Sequence, residues 1–77
     1  MKLKDNNSRL RLLLVEKALL DNPEGLKMSE IISYLQQHDL TAERKTILQD
    51  LYALNYLYDV QYTRCGHRHI LRRLPES

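Results

Sequence analysis

Arg44, Lys45 and Thr46 stand side by side, and Gln49 follows three residues later. All four end in hydrogen-bonding groups. Helical spacing places Arg44, Lys45, Gln49 and Tyr52 on the outer side of a segment whose inner side is Ile47, Leu48, Leu51, Leu54 and Tyr58. Long donors on the first turns of an exposed helix suit the edges of nucleobases. Arg and Lys match guanine O6 and N7, Gln matches adenine, and Thr reaches a phosphate or a thymine methyl. The helix start itself favours a phosphate. An ordinary solvated helix face carries the same residue types, so the neighbouring segments must decide the reading.

A second cationic cluster, Arg64, Arg68, Arg72 and Arg73, falls in the stretch Gln61 to Leu74, which holds no acid. On a β-hairpin such residues follow a phosphate backbone or enter a minor groove. They also protect a sheet edge from unwanted pairing. Arg64 and Arg68, nearest the turn, are the better candidates for nucleic-acid contact. Near the start of the chain, Lys2, Lys4 and Arg9 form a third group suited to phosphate. The segment between Leu12 and Val60 is net acidic, so the overall charge is only +2. The charge is therefore dipolar, with basic ends on an acidic body.

Other chemistry finds little support. Cys65, His67 and His69 are metal-capable, but the only further histidine is the distant His38, and zinc sites usually take four ligands. No metal or cofactor is expected. The two glycines, Gly25 and Gly66, cannot form a phosphate-cradling loop, and no catalytic constellation is present. A single cysteine excludes an internal disulfide, and no secretory leader is read, so a cytoplasmic location is expected. The apolar run Leu12 to Val15 is too short to span a membrane.

The elements that must position these residues follow from pattern. With 77 residues, one small domain over 1–77 is expected, residues 1–7 forming a frayed basic arm. Asn7 or Ser8 caps a first helix over Arg9 to Leu20. Its core face is assigned to Leu10, Leu13, Leu14, Ala18 and Leu20. The opposite stripe, Leu12, Val15 and Leu19, is a candidate homodimer seam, or else tolerated surface leucine. Asp21 to Gly25 is a turn, and residues 26–28 a short strand. Ser29 caps a second helix with Ile31, Ile32 and Leu35 inward, and Leu40 packs under the turn that ends it. Thr41 caps a third helix over 42–57.

A hairpin follows, Tyr58 to Thr63 and His69 to Leu74, turning at Cys65-Gly66. This register sets Tyr62 opposite His69 and Val60 opposite Leu71, with Val60, Tyr62 and Leu71 inward and Gln61 and Ile70 on the other face. With no Trp or Phe, the five tyrosines are expected to supply core volume, hydroxyls at the rim.

Helix, short strand, helix, helix and hairpin is the outline of an α+β winged helix-turn-helix with a two-stranded wing. The stretch Arg44-Lys-Thr-Ile-Leu-Gln-Asp-Leu-Tyr-Ala-Leu54 resembles the recognition helix of DeoR-type domains, and most closely the N-terminal domain of WYL-domain transcriptional regulators. The likeness extends more loosely over the Arg-Leu start of the first helix, Met28-Ser-Glu-Ile-Ile32 and the hairpin. It implies a bacterial or phage regulator that binds double-stranded operator DNA as a dimer, with Arg44, Lys45, Thr46 and Gln49 facing the groove. The sequence departs from the family at Gln49, often Arg there, and in lacking a double glycine at the wing turn. The family's ligand-sensing domain has no counterpart in these 77 residues. That leaves either the DNA-binding part of a longer regulator or a minimal stand-alone one. The rival expectation is a winged-helix adaptor that binds a protein partner.

Overall fold

Apolar residues circle almost the whole of the first helix, so packing decides which side turns inward. The computed structural model describes residues 3–74, with side chains from Ser8 onward. Helix α1 spans Leu3–Leu20. It begins earlier than the caps at Asn7 and Ser8 suggest, because no glycine or proline interrupts the run before Pro23. Residues 3–7 are therefore helical backbone, while Met1 and Lys2 lie outside the described residues.

The faces of α1 are largely the reverse of those expected, with only Ala18 and Leu14 of the assigned core face turned inward. Val15, Ala18 and Leu19 are fully buried, with Leu12 and Leu14 packed at the margin. Leu10, Leu13 and Leu20 are exposed. The Leu12, Val15 and Leu19 stripe is thus core, and the seam assigned to it cannot form there. Arg11 explains the choice: it lies on the side of Val15 and Ala18, and its guanidinium grips Asp50 on the third helix.

The chain leaves α1 through tight turns, with the Asn22 amide donating to the Ala18 carbonyl at 2.7 Å. Gly25 sits buried at φ +101, where a side chain is strained. A Cβ there would lie 2.8 Å from Ile70 Cγ1 and 2.9 Å from Arg68 Cβ. Gly25→Ala is expected to cost about 3 kcal/mol, combining left-handed strain with overpacking. A thermal melt reads this as a fall of more than about 10 °C for a domain of this size.

Strand β1, Leu26–Lys27, runs straight into α2, Met28–Gln36. Lys27, not Ser29, occupies the cap position, and its N–H donates to the Glu30 carboxylate at 2.8 Å. Ile31 and Leu35 are fully buried, as expected. The helix ends in a Schellman pattern. Asp39 takes a left-handed φ of 62, Leu40 N–H reaches the Leu35 carbonyl at 2.9 Å, and Asp39 N–H reaches Gln36 at 3.1 Å. Leu40 folds back onto the core.

Helix α3 spans Arg44–Leu54, shorter than 42–57 at both ends. Ala42 packs against the core in an extended approach, so Glu43 takes the cap position and Thr41 stays outside the helix. After Leu54 the chain tightens into i→i+3 turns, Tyr56 N–H to Ala53 and Leu57 N–H to Leu54.

Strands β2, Tyr58–Thr63, and β3, Arg68–Arg73, complete a three-stranded antiparallel sheet of order β1-β3-β2. The pairs Tyr62 with His69 and Val60 with Leu71 form as expected, and the short strand at 26–28 exists as Leu26 opposite His69 and Lys27 opposite Arg68. The turn before β1 brings Gly25 against Ile70, which is therefore buried instead of facing outward. Helix α1 ties to the sheet through the Tyr58 hydroxyl, which donates to Glu16 at 2.5 Å.

The core is leucine, isoleucine and valine: Val15, Leu19, Ile31, Leu35, Ile47, Leu51, Leu54 and Leu71. Tyrosine contributes only at its margin, through Tyr58. Tyr52 and Tyr56 are 77% and 83% exposed, which corrects the expectation of a tyrosine-built interior. No helix among the described residues is long and apolar enough to cross a membrane.

Candidate nucleic-acid interface

Ile47, Leu51 and Leu54 hold one side of α3 in the core, and Asp50 fastens the same side to α1. Arg11 Nε donates to Asp50 Oδ2 at 2.5 Å and Nη2 to Oδ1 at 3.0 Å, a bidentate fork. The Asp50 side chain is 9% exposed and that of Arg11 19%. Carboxylate contact raises the Arg11 guanidinium pKa further above its already high range. This pair fixes the rotation of α3 about its axis and thereby which residues look outward.

Those residues are Arg44, Lys45, Leu48, Gln49 and Tyr52, all exposed, with Thr46 half-buried. Three of the four expected readers therefore share the open face, and Thr46 is turned towards its edge. Leu48 was assigned inward, yet it is 45% exposed between Arg44 and Tyr52. The core side of α3 is already filled by Ile47, Leu51 and Leu54, which leaves no room for it.

Between α3 and the sheet lies an open groove of about 650 Å3 lined by Lys27, Met28, Ser29, Arg44, Leu48, Tyr62, His67 and His69. A smaller depression of about 220 Å3 continues along α3 past Tyr52, Asn55 and Gln61, and shares Leu48, Tyr62 and His69 with the first. No carboxylate lines either one.

Tyr62 organises the hairpin wall. Its hydroxyl bonds His67 Nδ1 at 2.7 Å, and its ring lies 4.9 Å from that of His69. The turn bends His67 inward with a left-handed φ of 53 beside Gly66 at 92. His67 and His69 thus converge on Tyr62, one from the turn and one from the strand. Burial, aided by the nearby Arg44 charge, lowers the His69 pKa, so its imidazole is neutral at neutral pH. Among the described residues no group of three His, Cys, Asp or Glu side chains is placed to hold a metal ion.

The remaining cations separate. Arg64 is exposed in the hairpin turn, with the free thiol of Cys65 next to it. Arg68 is directed inward: Nη1 donates to the Gly25 carbonyl at 2.9 Å and lies 3.9 Å from Glu30. It braces β3 against the turn before β1. Arg72 and Arg73 are exposed on the far part of β3, and Arg9 is exposed on α1; none of the three lines the groove. Lys2 and Lys4 lie outside the described side chains.

Sequence reasoning missed Arg11, Asp50 and Lys27. The first two carried a signal. Asp50 lies three residues after Ile47 and four before Leu54, in the phase of the core, and Arg11 lies four before Val15 and seven before Ala18, in phase with the buried side of α1. Opposite charges in two core phases mark a pair. No family model, curated protein or solved structure matches the chain.

Proposed function

We propose that this chain is a double-stranded-DNA-binding module of the winged helix-turn-helix type, related to the DeoR-like domains and acting in transcriptional regulation. In this reading α3 enters the major groove and the β2–β3 hairpin lies on the flanking backbone as the wing. The observation that carries the reading is the juxtaposition of Arg44, Lys45 and Gln49, exposed on the first turns of α3, with a groove that holds Lys27 and no carboxylate. The three helices and three-stranded antiparallel sheet are compatible with that architecture. Arg64 is the wing residue free to meet phosphate. Arg68 has a structural partner and is not assigned to DNA.

A titration of random duplex at two salt concentrations tests this directly. Neutralising about four phosphates, through Lys27, Arg44, Lys45 and Arg64, gives a log–log salt slope near −3.5 and roughly a hundredfold loss of affinity between 50 and 200 mM salt. Absence of salt-sensitive binding would remove the DNA assignment.

A second reading, a protein-binding adaptor, draws on one observation. Leu48, Tyr52, Tyr56 and Tyr62 are all exposed, and aromatic surface of this kind is enriched at protein interfaces. Silence towards duplex in the same titration favours it.

A further inference from the structure

Leu48 is the one outward residue on the middle of α3 with no polar group to offer. It is 45% exposed, one turn after Arg44 and one turn before Tyr52. It lines both depressions beside α3, with Met28 in the larger, Tyr52 in the smaller and Tyr62 in both. Around it the groove is mixed, with Met28 and the Tyr62 ring as its apolar part, Ser29, His67 and His69 as neutral polar groups, Lys27 and Arg44 as cations, and no carboxylate. The cations are complementary to phosphate, and the apolar part must therefore meet something apolar that travels with phosphate. On the major-groove edges of B-DNA the apolar group is the thymine C5-methyl. Set against a cytosine or adenine amino group, the same leucine would strip water from a donor and return no acceptor.

We propose that Leu48, with Tyr52 beside it, is a specificity-determining contact to thymine C5-methyl groups, so that the bound duplex carries an A·T or T·A pair opposite the middle of α3. This inference rests on the duplex-binding reading and adds base content to it. Burial of one methyl is worth about a fourfold change in affinity.

The test uses a duplex enriched from a random pool by repeated rounds of binding to the whole chain. It is synthesised twice, once with thymine and once with deoxyuridine, which lacks only the methyl. Fluorescence anisotropy gives the two dissociation constants. The wild-type chain is expected to bind the deoxyuridine duplex about fourfold or more weakly. Leu48→Ala is expected to bind both duplexes equally, at the weaker value. Leu48→Met keeps the apolar reach and is expected to retain discrimination, which separates loss of contact from loss of fold. Leu13→Ala, exposed on α1, is expected to behave as wild type. Equal wild-type affinity for the two duplexes, with normal salt sensitivity, overturns the thymine contact and spares the DNA assignment. Undiminished discrimination by Leu48→Ala also overturns it. Failure to enrich any duplex, with no salt-sensitive binding, overturns both.

Discussion

Replacing Arg44 and Lys45 together by alanine is expected to lower affinity for a selected duplex by about two orders of magnitude or more while the domain stays folded. Each well-placed bidentate contact to a base is worth about 1–3 kcal/mol of discrimination, and the phosphate attraction of both charges goes as well. Both side chains are exposed and neither takes part in an ion pair or side-chain hydrogen bond within the described fold. Surface changes of that kind move stability by about 0.5 kcal/mol at most. Anisotropy titration and a urea melt on the same protein check the two halves of the expectation. An internal reporter comes with the experiment. Arg44 helps to hold down the His69 pKa, so removing it moves the imidazole back towards its ordinary range in an NMR titration. Full duplex affinity in the double variant would overturn the assignment of α3 as the reading element.

Breaking the ion pair between α1 and α3 is expected to be strongly destabilising. Arg11→Ala leaves the Asp50 carboxylate, whose side chain is only 9% exposed in the intact fold, with no cation against it. Removing one partner of a buried pair costs about 3–5 kcal/mol, a large fraction of the 5–15 kcal/mol that holds a domain together. Asp50→Ala is expected to cost less, since the Arg11 side chain is the more exposed partner and can reach water. The double change Arg11→Met with Asp50→Leu is expected to recover most of the loss, because apolar groups of similar volume carry no desolvation penalty. Urea melts give all three values. A loss below about 1 kcal/mol for Arg11→Ala would mean that the fork does not hold α3 in place.

The parts of the fold legible from sequence were those fixed by local rules. The hairpin register followed from two-residue alternation about Cys65-Gly66, and Tyr62 indeed pairs with His69 and Val60 with Leu71. Gly25 and Gly66 both mark positive φ. The buried face of α2 followed from Ile31, Ile32 and Leu35, of which Ile31 and Leu35 are fully buried and Ile32 packs at the margin.

Helix α1 failed for the opposite reason. Leu10, Leu12, Leu13, Leu14, Val15, Ala18, Leu19 and Leu20 give every direction an apolar residue, so periodicity had no preferred phase. The decision came from Arg11, through a partner 39 residues away. Leu48 failed similarly. Hydrophobicity alone sent it inward, whereas the volume beneath α3 was already taken by Ile47, Leu51 and Leu54. The outward placement of Arg44, Lys45 and Gln49 was legible because polar donors on a helix start are not drawn into the core. The inward brace of Arg68 on the Gly25 carbonyl was not, since a backbone oxygen leaves no mark in a sequence.

The pairing of β1 with β3 has a mechanical consequence. Leu26 opposite His69 and Lys27 opposite Arg68 couple the inner strand of the hairpin to the residue that starts α2, and Arg68 clamps the junction from the side. The hairpin is therefore not a free flap. Tilting it away from α3 shears main-chain hydrogen bonds at β1 and drags the first turn of α2 along. The jaw between α3 and the hairpin keeps a set gauge, and whatever enters it must adapt its own shape to that spacing.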